Sequence, residues 1–303
     1  MKNVLVIGTG SIAQSHIINL KKIGYEVSIF SESGNKINKI KNIKYIENLK
    51  NLKIFDFVVI ANATNKHLKY LKILIENKKH IYCEKPIFFQ KFNYSKIRKS
   101  IIKNNVLFFS GYQLLRHEKI PYLKKILKNE KIISFLFEVG YDFKKWRKKQ
   151  SFSKNYFLEK KKGGGVIFEL IHEINLIQNL IGKIEYIKTI KKNIKTNQME
   201  DLAISTIKTN NGIVGSLYQD MISQKYFRSY KIITTKKIMI LDIANSKMII
   251  NNKILKIDNK KNSQKELLKR NIKLFSKLIK KKNTLKFFDE SIIDLKIALK
   301  MIK

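Results

Sequence analysis

Val4-Leu5-Val6-Ile7-Gly8-Thr9-Gly10-Ser11-Ile12-Ala13 stands almost at the start of the chain. Four apolar residues in a row are the pattern of a strand buried on both faces of a parallel sheet. The glycine segment follows without a gap and fits G-x-G-x-x-G/A, the turn that carries a dinucleotide pyrophosphate. Gly8 permits the tight turn out of the strand. Gly10 lets backbone approach a diphosphate where a Cβ would collide. Ala13 keeps the next helix close to the sheet. That helix, predicted over 11–22, offers free N–H groups from Ser11 and Ile12 onward and the positive end of its dipole. So short a glycine pattern is weak by itself. Its place between a strand and a helix gives it meaning.

Working outward, Gly24 reads as a helix C-cap and Glu26 to Phe30 as a second strand. Strand and helix then alternate, with strands predicted at 2–7, 26–30, 43–46, 56–61, 79–83 and 106–110. Helices are predicted at 11–22, 65–77 and 91–103. This alternation implies a doubly wound parallel sheet with right-handed crossovers. After Arg116 the rhythm changes. Pro121 opens a helix to about Lys128, a strand covers 131–141, and a polar, aromatic loop runs to Lys162. Gly163-Gly164-Gly165 begins a helix predicted to continue to about Leu180. Strands follow at 184–192, 201–209, 212–219, 228–235, 238–242 and 247–255, with turn signals at Asn210-Asn211-Gly212 and Asn251-Asn252. Helices at about 263–280 and 289–301 close the chain. The expected organisation is an α/β domain over 1–116 and an α+β domain over 117–303. The second is built on a large mixed or antiparallel open sheet, and the last helix is free to pack back on the first domain. No internal repeat is present.

The 303 residues suffice for two domains, and 44% of them are hydrophobic. No apolar run reaches the roughly 20 residues of a membrane span. The opening Lys2 followed by a strand does not read as a signal peptide. Cys83 is the single cysteine, so neither an intramolecular disulfide nor a cysteine-based zinc cluster can form, and a cytoplasmic location is expected. The net charge is +40, from 63 Lys+Arg against 23 Asp+Glu. Nucleic-acid binding is one reading of that excess. Spread over the whole chain without a stripe, tail or aromatic-interleaved module, it reads better as compositional drift, which still steers anionic ligands by long-range attraction.

Glu84-Lys85-Pro86 ends the strand Ile81-Tyr82-Cys83. Ligands of open α/β sheets bind beyond the carboxyl ends of strands, so Lys85 is placed to point its amine into the crevice. By position alone, a strand-end surface lysine explains it equally well.

Four segments taken together resemble the Gfo/Idh/MocA oxidoreductases, relatives of glucose-fructose oxidoreductase and inositol dehydrogenase. They are VIGTGSIA (6–13), IANATNKHLKYLKILIENKKHIYCEKP (60–86), GYQLLR (111–116) and GGGVIFELIHEIN (163–175). The closing FFDESIIDLKIALKMIK (287–303) is similar to that family's final helix. The resemblance spans nearly the whole chain and implies a Rossmann domain followed by a substrate-binding and oligomerising domain. It also implies an NAD(P)-dependent oxidoreductase acting on a hydroxyl or keto carbon of a sugar, sugar nucleotide or cyclitol, in one subgroup within surface-polysaccharide pathways. Lys85 falls on the family's lysine, which binds substrate and tunes the proton relay, and His172 on its acid–base histidine. The residue types suit the reaction. Removing hydride from carbon requires loss of a proton from oxygen, for which histidine has a fitting pKa. A nearby ammonium favours the developing alkoxide. The nicotinamide takes the hydride, so no metal is called for.

Two positions depart from the family. Members with a catalytic triad carry aspartate four residues before the histidine, where this chain has Phe168. Glu169 lies three residues before His172, a spacing that shares a helix face, so Glu169 is a candidate to approach the imidazole. The subgroup's usual acid at 175 is Asn175. These departures keep open a non-catalytic dinucleotide-binding or sensor protein of the same fold.

Cofactor residues follow from the same segments: Gly8, Gly10, Ser11, Ile12 and Ala13 for the pyrophosphate, Asn62, Thr64 and His67 after the fourth strand, and Glu84 with Lys85. His67 reads more as a packing or capping residue. After the second strand the chain has Ser31-Glu32, where an acid would hold the ribose 2′-OH of NAD. No arginine is adjacent for a 2′-phosphate, although Lys36 is near, so NAD is expected and NADP stays open. Arg116, Trp146, Arg147, Tyr156, Lys85 and His172 are the candidate substrate contacts. An aromatic and an arginine suit a sugar face and an anionic group. Alternatives are an interdomain ion pair for Arg116, a packed surface loop for Trp146, Arg147 and Tyr156, and a structural helix histidine for His172. A homodimer or homotetramer is the implied assembly, with a sugar-like small molecule as the partner.

Overall fold

The computed structural model describes residues 2–41, 43–146, 159–196, 198–280 and 285–303. They fall into two compact units, one running to Gln113 and including Ser263–Ile293, the other Leu114–Asn262 with Asp294–Lys303. The stretch 263–293, counted with the second domain in the expected division at 116/117, thus packs within the first unit.

The first unit contains β1 (Lys2–Ile7), α1 (Ser11–Lys22), β2 (Tyr25–Phe30), β3 (Lys44–Ile46), β4 (Phe57–Ile60), α2 (His67–Glu76), β5 (His80–Cys83), α3 (Tyr94–Lys103) and β6 (Phe108–Ser110). All strand pairs are parallel, in the order β3-β2-β1-β4-β5-β6. The apolar run Val4–Ile7 is no more than 1% exposed, because β1 is a central strand covered on both faces. In α1, Ala13, Ile17 and Leu20 recur on one face and are buried against the sheet. The helix stops at Ile23, and Gly24 takes the left-handed conformation that ends it, with φ +93°. The sheet order reverses between β1 and β4, so the carboxyl ends of these strands flank the crevice of a doubly wound fold. A helix from the far end of the chain, Gln264–Ile279, completes this unit. Its Leu268, Ile272 and Phe275 join the core formed by Val4, Ile17 and Phe57.

The second unit begins with α4 (Lys119–Leu127) and β7 (Ile132–Asp142), followed by α5 (Phe143–Trp146), α6 (Val166–Glu169) and α7 (His172–Leu180). Pro121 lies in the first turn of α4 rather than opening it, where its missing N–H costs nothing. Seven strands follow: β8 (Ile184–Lys192), β9 (Leu202–Thr209), β10 (Val214–Asp220), β11 (Ile222–Thr234), β12 (Ile238–Asp242), β13 (Lys247–Ile250) and β14 (Lys253–Lys256). With β7 they form a sheet ordered β14-β13-β12-β11-β7-β10-β9-β8, antiparallel except for the pair β7–β10. One face buries Phe137, Leu217, Tyr230, Leu241 and Met248, while Ile190, Ile204 and Leu136 lie exposed on the other. The single strand predicted at 247–255 is a hairpin, because Asn251 adopts φ +52° and turns the chain. The chain ends with α8, the helix Gln264–Ile279 already described, and α9 (Lys286–Ile302). No helix among the described residues is long and apolar enough to cross a membrane.

The one helix predicted from the triple glycine to Leu180 is two helices. Gln219 on β10 donates its Nε2 hydrogen to the Leu170 carbonyl at 2.8 Å, and Leu170 leaves helical geometry with ψ +31°. Gly163 and Gly165 precede α6 with φ +85° and +109°, conformations that favour glycine.

Glu200, beside Gly165, is buried, and burial pushes its carboxyl above the usual carboxylate range. The folded state therefore holds this proton more tightly than the unfolded chain. The associated stability is complete below the unfolded pKa, about 4.3, and is lost as pH rises through the folded value. Glu200→Gln keeps the shape without the charge. Urea unfolding is expected to show a higher midpoint for this variant at pH 7.5 and no gain at pH 4.

Candidate active site

The glycine turn meets its steric requirements at β1's carboxyl end. Gly8 has φ +121°, and a Cβ there would sit 2.7 Å from the Ala61 carbonyl oxygen, inside van der Waals contact. Its N–H donates to the Phe30 carbonyl at 3.0 Å, so the turn is pinned to the ends of both β2 and β4. Gly10 caps α1 with no side-chain hydrogen bond, and the first turn contains no acid. Open space lies where its Cβ would stand. The helix start thus presents free N–H groups and uncompensated positive dipole at Ser11 and Ile12, with Ala13 fully buried beneath. Asn62, just beyond β4, has a buried Oδ1 with no partner. An open cradle, an uncapped helix start and an unsatisfied acceptor fit a dinucleotide.

The other strand-end residues differ in what they do. Thr64 is buried in a short 3-10 turn, Thr64–Lys66. His67 is 1% exposed, with Nε2 3.0 Å from the Asn62 carbonyl and Nδ1 3.1 Å from the Ile87 carbonyl. Burial lowers its pKa. This imidazole bridges backbone that follows β4 and backbone that follows β5. Ser31 faces Ser33, with the hydroxyls 3.4 Å apart. Glu32 is gripped by two lysines, Lys66 on Oε2 and Lys69 on Oε1, each at 2.5 Å. Hydrogen bonds from these two ammonium groups bring its carboxyl down to about 2.

Lys85 is the second residue beyond β5 and is half-buried, before a cis Pro86. Glu84 is 5% exposed and accepts from the Lys85 backbone N–H at 3.3 Å. Its Oε1 lies 2.6 Å from Nε2 of His16, which is wholly buried on α1. The pair links the helix of the glycine turn to the segment carrying Lys85. Glu84 therefore acts as an anchor inside the protein. A Cβ on Gly111 would lie 3.0 Å from this carboxylate, so glycine there makes room for it. Sequence reasoning passed over His16, although it lies on the buried face of α1.

In the second unit His172 is the first residue of α7 and is 6% exposed. Glu169 closes α6, so the break at Leu170–Ile171 removes the shared helical face that its three-residue spacing implied. Phe168 is core, 3% exposed. Glu173 is fully buried, 2.9 Å from Arg228, and accepts from the Tyr230 hydroxyl at 2.8 Å. Burial, then the charge of Glu173, pushes the Tyr230 phenol far above its usual range, so it remains a donor. Asn175 donates to Asp294 on α9 at 2.8 Å, and Gln178 donates to the other oxygen. An acid at 175 would face that buried carboxylate, whereas the amide satisfies it. Asp294 escaped sequence reasoning because it lies 119 residues from its partner. Arg116 is half-buried and ends a 3-10 turn, Gln113–Arg116. Trp146 closes α5, its side chain outside the described residues, as are Arg147 and Tyr156.

This doubly wound unit with its glycine cradle, joined to an open mixed sheet, defines a class of dinucleotide-binding proteins. The profile described as the oxidoreductase family with an NAD-binding Rossmann fold matches residues 2–112, and that of the GFO/IDH/MocA C-terminal domain matches 123–240. The chain belongs to the Gfo/Idh/MocA family, and its first unit is that family's NAD-binding domain. It is 27% identical to the 2,7-anhydro-N-acetylneuraminate hydratase of Escherichia coli (strain K12) over 131 residues, 43% of this chain and 35% of that protein. The matched stretches cover 34–40% of the curated relatives' own length. Among solved structures it superposes on UDP-N-acetylglucosamine 3-dehydrogenase GnnA from Acidithiobacillus ferrooxidans with TM-score 0.83 and 17% identity, covering 99% of this chain and 96% of the other. It also superposes on the WlbA dehydrogenase from Bordetella pertussis, solved with NADH and UDP-GlcNAcA. There the TM-score is 0.79 and the identity 16%, over 99% and 95% of the two chains.

The two glycines separate folding from binding. Gly8→Ala forces backbone against backbone and is expected to cost about 1–3 kcal/mol in urea unfolding. Gly10→Ala meets nothing in the protein, so stability should hold while NADH affinity in a fluorescence titration falls about tenfold or more. Wild-type affinity in Gly10→Ala would remove Gly10 from the cradle.

Proposed function

We propose that this protein is an NAD(P)-dependent dehydrogenase or reductase interconverting a hydroxyl and a ketone on a sugar, sugar nucleotide or cyclitol. The observation that carries the reading is the conjunction, within one unit, of the glycine cradle with Lys85 anchored through Glu84 and His16. NAD, when bound, supplies the hydride acceptor. Lys85 presents an ammonium that stabilises the alkoxide forming on substrate oxygen. His172, in the other unit, accepts the hydroxyl proton as general base and returns it in the reverse direction. Asn175 and Glu173 hold its helix through Asp294 and Arg228. Glu169 is proposed as a catalytic companion of His172, Arg116, Trp146, Arg147 and Tyr156 as substrate contacts, and Asn62 and Thr64 as cofactor contacts.

Similar proteins support the substrate class: the neighbours named above act on or bind UDP-amino sugars, and a relative from Thermotoga maritima is a myo-inositol 2-dehydrogenase. A role in surface-polysaccharide sugar synthesis fits that class. We place the protein in the cytoplasm. The exposed apolar residues Ile190, Ile204 and Leu136 on the open sheet support a homodimer or homotetramer. A buried Phe168 where triad members have an acid favours a second reading, a cofactor-binding sensor without turnover.

His172→Ala is expected to lower kcat about 10²–10⁴-fold across a panel of sugars, sugar nucleotides and cyclitols, with NADH affinity unchanged. Undiminished turnover in the variant would remove His172 from its role. NADH binding with no conversion of any panel member by the wild type would establish the sensor.

A further inference from the structure

The cluster at the carboxyl end of β2 has a consequence for cofactor choice. Glu32 stands two residues beyond β2, whose last carbonyl receives the Gly8 N–H at 3.0 Å, so it lies beside the glycine turn. In doubly wound domains an acid at this place accepts the ribose hydroxyls of NAD and repels the 2′-phosphate of NADP. Here each oxygen of that acid is already engaged. Lys66, from the turn after β4, holds Oε2, and Lys69, from α2, holds Oε1, both at 2.5 Å. Two cations against one anion leave the cluster with a formal charge of +1. Both lysine side chains are substantially exposed, 43% and 58%, and flexible, so their ammonium groups can turn from the carboxylate to an incoming phosphate. Lysine serves phosphate as a point charge without the rigid fork of arginine. The absence of an adjacent arginine is therefore no bar.

We propose that Lys66 and Lys69 neutralise Glu32 and make this protein a dual acceptor that binds the 2′-phosphorylated cofactor about as well as NAD(H). The inference rests on the dinucleotide reading of the glycine turn. Glu32 remains able to take the ribose diol when NADH binds, since displacing the lysines needs only side-chain rotation. When NADPH binds, the same lysines bridge the 2′-phosphate and Glu32.

Equilibrium titration of the full-length protein with NADH and with NADPH, read by nucleotide fluorescence, tests this. The two dissociation constants are expected to lie within about tenfold of each other. Lys66→Gln/Lys69→Gln frees Glu32 and should weaken NADPH about tenfold or more relative to NADH. Glu32→Gln should shift the ratio the other way. A remote pair on the exposed sheet face, Lys188→Gln/Lys208→Gln, removes the same charge and should leave the ratio where it was. Circular dichroism checks that each variant is folded, and Glu32→Gln gives an independent arm if the double variant is not. The proposal is overturned if wild type binds NADPH over about a hundredfold more weakly than NADH, or if the remote pair shifts the ratio as much as Lys66/Lys69. Binding of neither nucleotide would instead overturn the reading of the glycine turn.

Discussion

A carboxylate buried against a histidine organises the first unit. Glu84 and His16 meet at 2.6 Å in surroundings that exclude water. Such a pair contributes little net stability by itself, since both groups are desolvated, but either alone would be an unsatisfied polar group in the interior. What it fixes is relative position. His16 lies on the helix that follows the glycine turn, and its ring packs edge-on against Tyr82, 4.9 Å between centroids. Glu84 receives the Lys85 amide and packs tightly over Gly111, where a Cβ would lie 3.0 Å from it. The ends of β5 and β6 and the helix α1 thus meet at this one side-chain pair. The cofactor cradle and the proposed catalytic lysine cannot drift apart without breaking it.

The second unit uses the same device on α7. Glu173, Asn175 and Gln178 all face inward or sideways to partners that come from far along the chain: Arg228 and Tyr230 on β11, Asp294 on α9. His172 is the first residue of that helix, and the position four residues earlier is the buried Phe168. Around Asn175 the buried charge belongs to α9, through Asp294, and the amides of α7 satisfy it.

How far these features could be read from sequence depends on how local their causes are. Val4 to Ala13 was legible because hydrophobic run, glycine spacing and helix start lie within ten residues, and the structure adds only that Gly8 abuts Ala61. The six parallel strands and the open mixed sheet followed from alternation and turn chemistry. The break between α6 and α7 was illegible. It is imposed by Gln219, 49 residues from the carbonyl it binds. The engagement of Glu32 by Lys66 and Lys69 was hidden in the same way, since in a chain this rich in lysine no single one announces its partner. The hairpin at Asn251 was misread as one strand although its turn residues were visible, because apolar residues flank the turn on both sides. The partners of His67 and Glu84, backbone carbonyls for one and His16 for the other, were equally hidden, since only the fold brings them together.

The helix Gln264–Ile279 gives the order of assembly a direction. Asn19 donates to the Lys265 carbonyl across 246 residues of chain, and Leu268, Ile272 and Phe275 fill a core begun by Val4 and Ile17. A polypeptide emerging from the ribosome amino end first must therefore carry the nucleotide-binding sheet unfinished through most of its synthesis. One apolar flank remains uncovered until the last tenth or so of the chain appears. Closing so long a loop is slow by the measure of contact order. The sheet that is written first is thus sealed only after the chain of the second unit has been made.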